Sequence, residues 1–307
     1  MFNPTAVITG TSSGIGRAIA EALVARKWSV IGISRQPVQF DLERYTHYPV
    51  DVSDSGVLTE TTRQIMQQHG RVDALINNAG VGHFGPHEEL SVEQITELVS
   101  VNLLAPLLLT KLLLRPLKEA RGAVVNIASF SAWESSSHGA AYAATKAGLK
   151  HFGDSLFEEA RRSGLRVVTI SPDITRTPFY EDLSFAPEDD PEAAITPGCV
   201  AQAVVEALQQ RQGTAITHVV MRPQRVLLKK RPRPWGRRAA RPRPLYPGCP
   251  LPPVPVPPVP GLLCLSPPPR AVPGLHPLYR GYILSILSLS LATKSWIHRY
   301  RASWHER

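Results

Sequence analysis

Thr9-Gly10-Thr11-Ser12-Ser13-Gly14-Ile15-Gly16 follows the short apolar run 6–9 and opens a stretch of helical periodicity, 16–26. The position of each glycine has a physical reading. Gly10 permits a tight turn out of the strand. Gly14 leaves room for a phosphate-bearing ligand to approach the backbone, and Gly16 lets the helix pack closely on the strand. The free N–H groups at the helix start, reinforced by the helix dipole, form a site for anions. A strand before and a helix after is the context that a dinucleotide-binding turn requires.

From this turn to about Met221 the chain alternates between two periods. Short runs rich in Val and Ile occur at 6–9, 29–33, 47–50, 74–77, 123–128, 166–171 and 216–221. Continuous apolar runs of this length suit strands buried on both faces. Helical stretches at 16–26, 57–69, 91–118, 141–162 and 197–210 separate them. The alternation predicts β-α-β units and a single α/β domain, a Rossmann-type doubly wound parallel sheet of about seven strands with helices on both faces. The segment 173–196 breaks the rhythm with Pro178, Pro187, Pro191 and a run of acids. It is expected to be a long loop with one short helix, placed over the end of the sheet where ligands bind.

The composition changes after Lys230. Residues 231–307 hold 17 of the 29 prolines and lose both periods. Residues 1–230 are therefore expected to form the folded domain. Residues 231–307 are read as a proline- and arginine-rich low-complexity tail that favours polyproline geometry or disorder. The apolar patch 281–292 is short for a bilayer span, which needs ~20 residues, and fits a surface contact at most. No apolar run in 1–230 is read as long enough to span. The formal charge of +9 also belongs to the tail, which carries 12 of the 34 Lys and Arg against one acid, Glu306. Residues 1–230 hold 22 basic and 24 acidic residues, so no nucleic-acid partner is expected. Cys199, Cys249 and Cys264 have no metal-type spacing and imply no disulfide framework. No metal is expected, and a reducing cytoplasm is the expected compartment. The opening Met-Phe-Asn-Pro-Thr enters a strand at once, so no leader is expected.

The spacing T-G-x3-G-I-G, Asn77-Asn78-Ala79-Gly80 after the fourth strand, and Tyr142-Ala143-Ala144-Thr145-Lys146 resemble the short-chain dehydrogenase/reductase family in its compact form, over residues 5–222. The resemblance implies that Gly10, Thr11, Ser12, Ser13, Gly14, Ile15 and Gly16 hold the phosphates of a nicotinamide dinucleotide. It implies that Asp51, followed by Val52, contacts the adenine amino group. It also implies that Asn78, Ala79 and Gly80 lie beside the cofactor, with Asn77 as the structural member that ties neighbouring strands. An NAD site places an acid ~20 residues beyond the glycine turn, on the ribose 2′-hydroxyl. Here the second strand ends with Ser34 at that position and Arg35 after it. A guanidinium suits a 2′-phosphate, so NADP(H) is expected over NAD(H). The second base that many NADP-preferring relatives carry before the middle glycine is replaced by Ser13; Arg17 is the nearest substitute.

Tyr142 and Lys146 are four apart and share one helix face. Ser129 lies 13 residues earlier, at the end of the fifth strand, and Asn102 lies within Ser100-Val101-Asn102-Leu103 of the preceding helix, both as in the family. Hydride transfer to a ketone makes an alkoxide that needs a proton, and the reverse reaction needs a base. A tyrosine serves both if its pKa falls toward working pH. Lowering it from ~10 to ~7 takes about 4 kcal/mol of differential stabilisation, which the Lys146 ammonium and the oxidised nicotinamide are expected to supply. Lys146 is expected to hold the nicotinamide ribose, Ser129 the substrate oxygen, and Asn102 a water that links Lys146 to solvent. A buried asparagine among leucines is costly without such a purpose.

Ser171-Pro172-Asp173-Ile174-Thr175-Arg176-Thr177 resembles the family's P-G-x3-T, with Asp173 in place of glycine. Either Asp173 adopts a left-handed conformation or the turn differs. Thr177 is the candidate for the carboxamide and phosphate, Thr175 for a backbone contact, and Pro172 lies beside them. The reading is an NADP(H)-dependent oxidoreductase that interconverts a carbonyl and a secondary alcohol on a small or lipid-like substrate. Residues 133–139, His83, Phe84 and 173–196 are expected to recognise it. The resemblance also implies a homodimer or homotetramer. The alternative is a non-catalytic dinucleotide sensor or scaffold with a proline-rich interaction tail.

Overall fold

The computed structural model describes residues 3–36 and 43–231. The strands are β1 Thr5–Thr9, β2 Ser29–Ser34, β3 Tyr45–Pro49, β4 Ala74–Asn77, β5 Ala123–Ile127, β6 Arg166–Pro172, β7 Phe185–Pro187, β8 His218–Met221 and β9 Leu228–Lys230. Seven form one sheet in the order β3-β2-β1-β4-β5-β6-β8, every neighbouring pair parallel. The predicted fold class is what the chain adopts, and the strand ends differ from expectation by a residue or two.

The strands are apolar on both sides because both faces are covered. Along β1, Ala6 and Ile8 point to one face and Val7 to the other, the period of two that a strand imposes. Ala6 and Ile8 pack with Ile19 and Leu23 of α1 (Gly14–Val24) and with Val200 and Val204 of α6 (Pro197–Leu208). Val7 packs with Leu58 and Ile65 of α2 (Ser55–His69), with Leu109 and Leu113 of α4 (Ala105–Glu119), and with Leu156 of α5 (Ala140–Ala160).

The helix expected over 91–118 is divided. α3 (Val92–Val99) is joined to α4 by a π-helical turn, Ser100–Leu104. One-turn π bulges inside helices are frequent at functional sites. This one carries Asn102, described below. Val92–Glu119 is also long and apolar enough, by length and composition, to cross a membrane, contrary to the reading of 1–230. Leu98, Val101, Ala105, Leu109, Leu113 and Leu117 are buried within the protein, as in a core helix under a sheet.

The segment 173–196 is more ordered than expected. It contains three-residue 3₁₀ turns at Pro178–Tyr180 and Pro191–Ala193, and between them β7, which pairs antiparallel with β9. The returning chain is tied down by charge as well: Arg225 meets Asp190 and Glu192, Lys229 meets Asp189, and Arg222 meets Asp173. Arg231, assigned to the tail by composition, donates its N–H to Ser184 O and its guanidinium to Tyr180 O. The expectation of disorder from 232 onward lies outside the described residues.

Candidate active site

The chain order of the sheet reverses between β1 and β4, which opens a crevice at the C-terminal ends of the strands. A cavity of about 730 Å³ lies there. Its walls are the segments that follow β1, β4, β5 and β6, with the ends of β2 and β3 at one extremity.

The glycine turn is built by contacts that exclude side chains. Gly10 has φ +72° and Gly14 φ +55°. A methyl group on Gly16 would collide with Gly10 O and the Asn78 amide. Asn78 Nδ2 donates to Thr9 O at 2.8 Å, and Thr9 Oγ1 accepts from the N–H groups of Asn78 and Ala79. The β1 and β4 turns are thereby locked together. Asn77 Nδ2 donates to Asn126 Oδ1 at 2.9 Å and ties β4 to β5, as expected of the structural member. The side chains of Asp54, Ser91 and Thr196 cap α2, α3 and α6. Ser13 makes no such bond at α1, and the first turn of α1 carries no acid. Gly14 and Ile15 line the cavity, so this helix start suits phosphate oxygens. The donor set fits a dinucleotide.

Ser12, Ser13, Ser34, Arg35, Asp51, Val52, Asn78, Ala79, Gly80, Pro172, Thr175 and Thr177 also line the cavity. Thr11 and Gly16 do not. The Thr11 hydroxyl is buried against Tyr45 Oη, 2.8 Å away, and Gly16 lies beneath Gly10. Arg17 is paired with Glu21. Ser34 Oγ donates to Gln36 O and bonds His47 Nε2 at 2.9 Å. Burial pushes the Asp51 carboxyl up, but hydrogen bonds from Ser53 and the nearby Arg35 charge outweigh it and hold it below the usual carboxylate range. Thr177 approaches Gly14 so closely that a methyl there would stand 3.2 Å from Thr177 Cγ2. Asp173 is not among the residues with positive φ, so no left-handed aspartate is needed. Its side chain instead accepts from the N–H of Ile174 and from Arg222.

Ser129, Tyr142 and Lys146 meet on the cavity wall. Ser129 caps the turn after β5 by accepting from Ser131 N, and its hydroxyl is near enough to Tyr142 to oppose the effect of burial on the phenol. Lys146 Nζ donates to Ile127 O at 3.0 Å and lies 5.9 Å from the centre of the Tyr142 ring. Burial raises Tyr142 to about 12, against a smaller lowering by Ser129, and lowers Lys146 to about 8. Desolvation disfavours both charged forms and is the larger effect.

Asn102 is fully buried and does not line the cavity. Its Oδ1 accepts from Val81 N at 2.9 Å, and its Nδ2 donates to Val81 O and to Thr145 Oγ1. These bonds clamp the chain after β4 to α5. At the substrate end, Ser136, Ser137, His138 and Phe84 line the cavity, but Trp133 and His83 do not. Trp133 Nε1 donates to Ser171 Oγ and its ring packs on His218, while His83 pairs with Glu97. Phe179, Tyr180 and Phe185 of the 173–196 segment line the cavity, as does Leu228. Leu228 had no signal in the sequence, because a three-residue strand is defined only by its partner.

A profile of the short chain dehydrogenase family matches residues 4–187. An uncharacterized oxidoreductase of Staphylococcus epidermidis is 31% identical over 225 residues, covering 71% of this chain and 96% of its own. The L-fucose dehydrogenase of Mus musculus is 33% identical over 204 residues, 64% of this chain and 74% of its own. Among solved structures, a metagenomic short-chain oxidoreductase in complex with NADP is 30% identical, with a TM-score of 0.61, over 72% of this chain and 97% of that one. With the parallel sheet and the glycine turn, these matches show that the chain belongs to the short-chain dehydrogenase/reductase family and is an NAD(P)-dependent oxidoreductase of CH–OH and C=O groups.

Proposed function

We propose that the protein interconverts a carbonyl and a secondary alcohol, small or lipid-like, using NADP(H) in preference to NAD(H). The observation that carries the reading is the meeting of Ser129, Tyr142 and the buried Lys146 on the wall of one cavity. A bound nicotinamide supplies or accepts the hydride. Tyr142 Oη gives the proton to the carbonyl oxygen, or takes it from the alcohol. Ser129 Oγ holds that oxygen within reach of Tyr142. Lys146 holds the ribose and, when protonated, favours the phenolate. Asn102 Oδ1 has a second lone pair, and Gly80 keeps the space between it and Lys146 Nζ free of a side chain. A methyl there would stand 3.4 Å from both atoms. One water bridging them completes the proposed proton path to Lys146.

The NADP(H) preference is supported by Arg35 on the cavity wall and by a serine, already engaged by His47, where an acid would meet the 2′-hydroxyl. The test is a panel of carbonyl substrates with both cofactors on the protein and on Arg35→Ala. We expect the variant to lose about tenfold or more in kcat/KM for NADPH and little for NADH, since a paired guanidinium–phosphate contact is removed. Equal losses with both cofactors would refute the preference.

We further propose a homodimer or homotetramer formed through α3 and α4, where Val92, Val99 and Leu104 are exposed in an otherwise apolar helix pair. Light scattering is expected to give a multiple of the chain mass, and Leu104→Glu to reduce it. A wild-type monomer would end this proposal. The proposed compartment remains the cytoplasm, on cysteine usage.

A further inference from the structure

We infer that the substrate is an uncharged, apolar carbonyl compound of aryl or alicyclic type, or its secondary alcohol, selected by Phe84, Phe179, Tyr180 and Phe185. The inference rests on the oxidoreductase reading above. The four rings come from two distant segments and form one wall beside Tyr142. Phe84 lies 5.0 Å from the Tyr142 ring centre and Phe179 6.1 Å from it. Phe185 stands edge-on to Phe84 at 5.3 Å and to Tyr180 at 5.8 Å, and Tyr180 edge-on to Phe179 at 5.4 Å. All four are half-buried and line the cavity, so apolar ring surface remains open to a ligand. Two glycines seat the wall. A methyl on Gly82 would stand 2.7 Å from Phe84 Cε2 and collide with Phe179, and one on Gly139 would stand 3.2 Å from Phe84 Cδ1.

The same cavity carries the hydroxyls of Ser129, Ser131, Ser136 and Ser137 and the imidazole of His138. The Asp, Glu, Lys and Arg side chains that line the cavity, among the described residues, are Arg35, Asp51, Lys146 and Asp173. Arg35 and Asp51 stand at the ends of β2 and β3. Lys146 is bonded to Ile127 O, and Asp173 to Arg222 and Ile174. A carboxylate or phosphate placed against the four rings would lose its hydration there. A polyol would bury hydroxyls against the rings, and the serines could meet only part of them. A planar or cyclic hydrocarbon meets the ring faces and edges in the geometries that aromatic groups prefer.

The test measures kcat/KM for tetralone and acetoacetate with NADPH and NADH, and for L-fucose with NADP+ and NAD+, on the full chain and on Phe84→Ala and Phe84→Leu. Tetralone is expected to exceed both competitors by about a hundredfold. Phe84→Ala is expected to cost tetralone about tenfold, mainly in KM, and Phe84→Leu to retain most of it. Preference for L-fucose or acetoacetate overturns the inference and leaves the oxidoreductase reading intact. An unchanged tetralone KM in Phe84→Ala removes the wall from substrate selection. No turnover of any of the three, in protein that binds NADPH, overturns the oxidoreductase reading and the inference together.

Discussion

Tyr142→Phe is expected to lower kcat roughly a thousandfold and to leave NADPH affinity within about twofold, the range of a lost general acid. The substitution deletes one hydroxyl and keeps the ring that packs on Phe84 and Phe179. The glycine turn, the uncapped start of α1 and Arg35 are untouched, so the dinucleotide contacts survive. The Ser129 hydroxyl still accepts from Ser131 N, which keeps its loop in place. Steady-state rates in both directions and a fluorescence titration with NADPH separate the two effects. Normal turnover in the variant would show that the proton moves through another group, and lost NADPH binding would show that the hydroxyl has a structural role.

Lys146→Met is expected to abolish most turnover and yet to stabilise the fold at neutral pH. Burial lowers Lys146 from 10.5 to about 8, so the folded protein carries a disfavoured ammonium below pH 8. That shift corresponds to about 3 kcal/mol. Between about pH 8 and pH 10.5 the unfolded chain holds a proton that the folded chain has released, and stability rises with pH through that window. Methionine fills similar volume without charge but forfeits the bond to Ile127 O, worth about 1 kcal/mol. The net gain at pH 7 is then about 2 kcal/mol; it should shrink as pH rises, and at about pH 10.5 the variant should be the slightly less stable protein, since only the lost bond remains. Thermal or urea unfolding of both proteins at pH 7 and at pH 10.5 is the check. A variant less stable than wild type at pH 7 would mean that the ammonium is solvated or paired in the fold.

The features read correctly from sequence were those with a local cause. A strand covered on both faces has no polar side, so β1, β4 and β5 stood out as apolar runs. The glycine turn announced itself because only glycine tolerates the positive φ of Gly10 and Gly14 and the contact beneath Gly16. The sharing of one cavity by Tyr142 and Lys146 follows from four residues of helix. The features that the tertiary structure decided depend on partners far away in the chain. Asn102, in the π turn at 100–104, clamps Val81, and no periodicity records that bond. Thr11 turned to Tyr45 and Trp133 to Ser171 because their partners lie 34 and 38 residues away. The 173–196 segment became a wall because β9 returns to pair with β7. The direction of the Tyr142 shift was set by burial, a property of the packed molecule. The amino-acid sequence by itself determined the sheet, the glycine turn and the placing of Tyr142 and Lys146 on one helix face, whose physics is local. Tertiary structure alone decided the surroundings of that pair, because burial and ring contacts are set by segments that meet only in the fold.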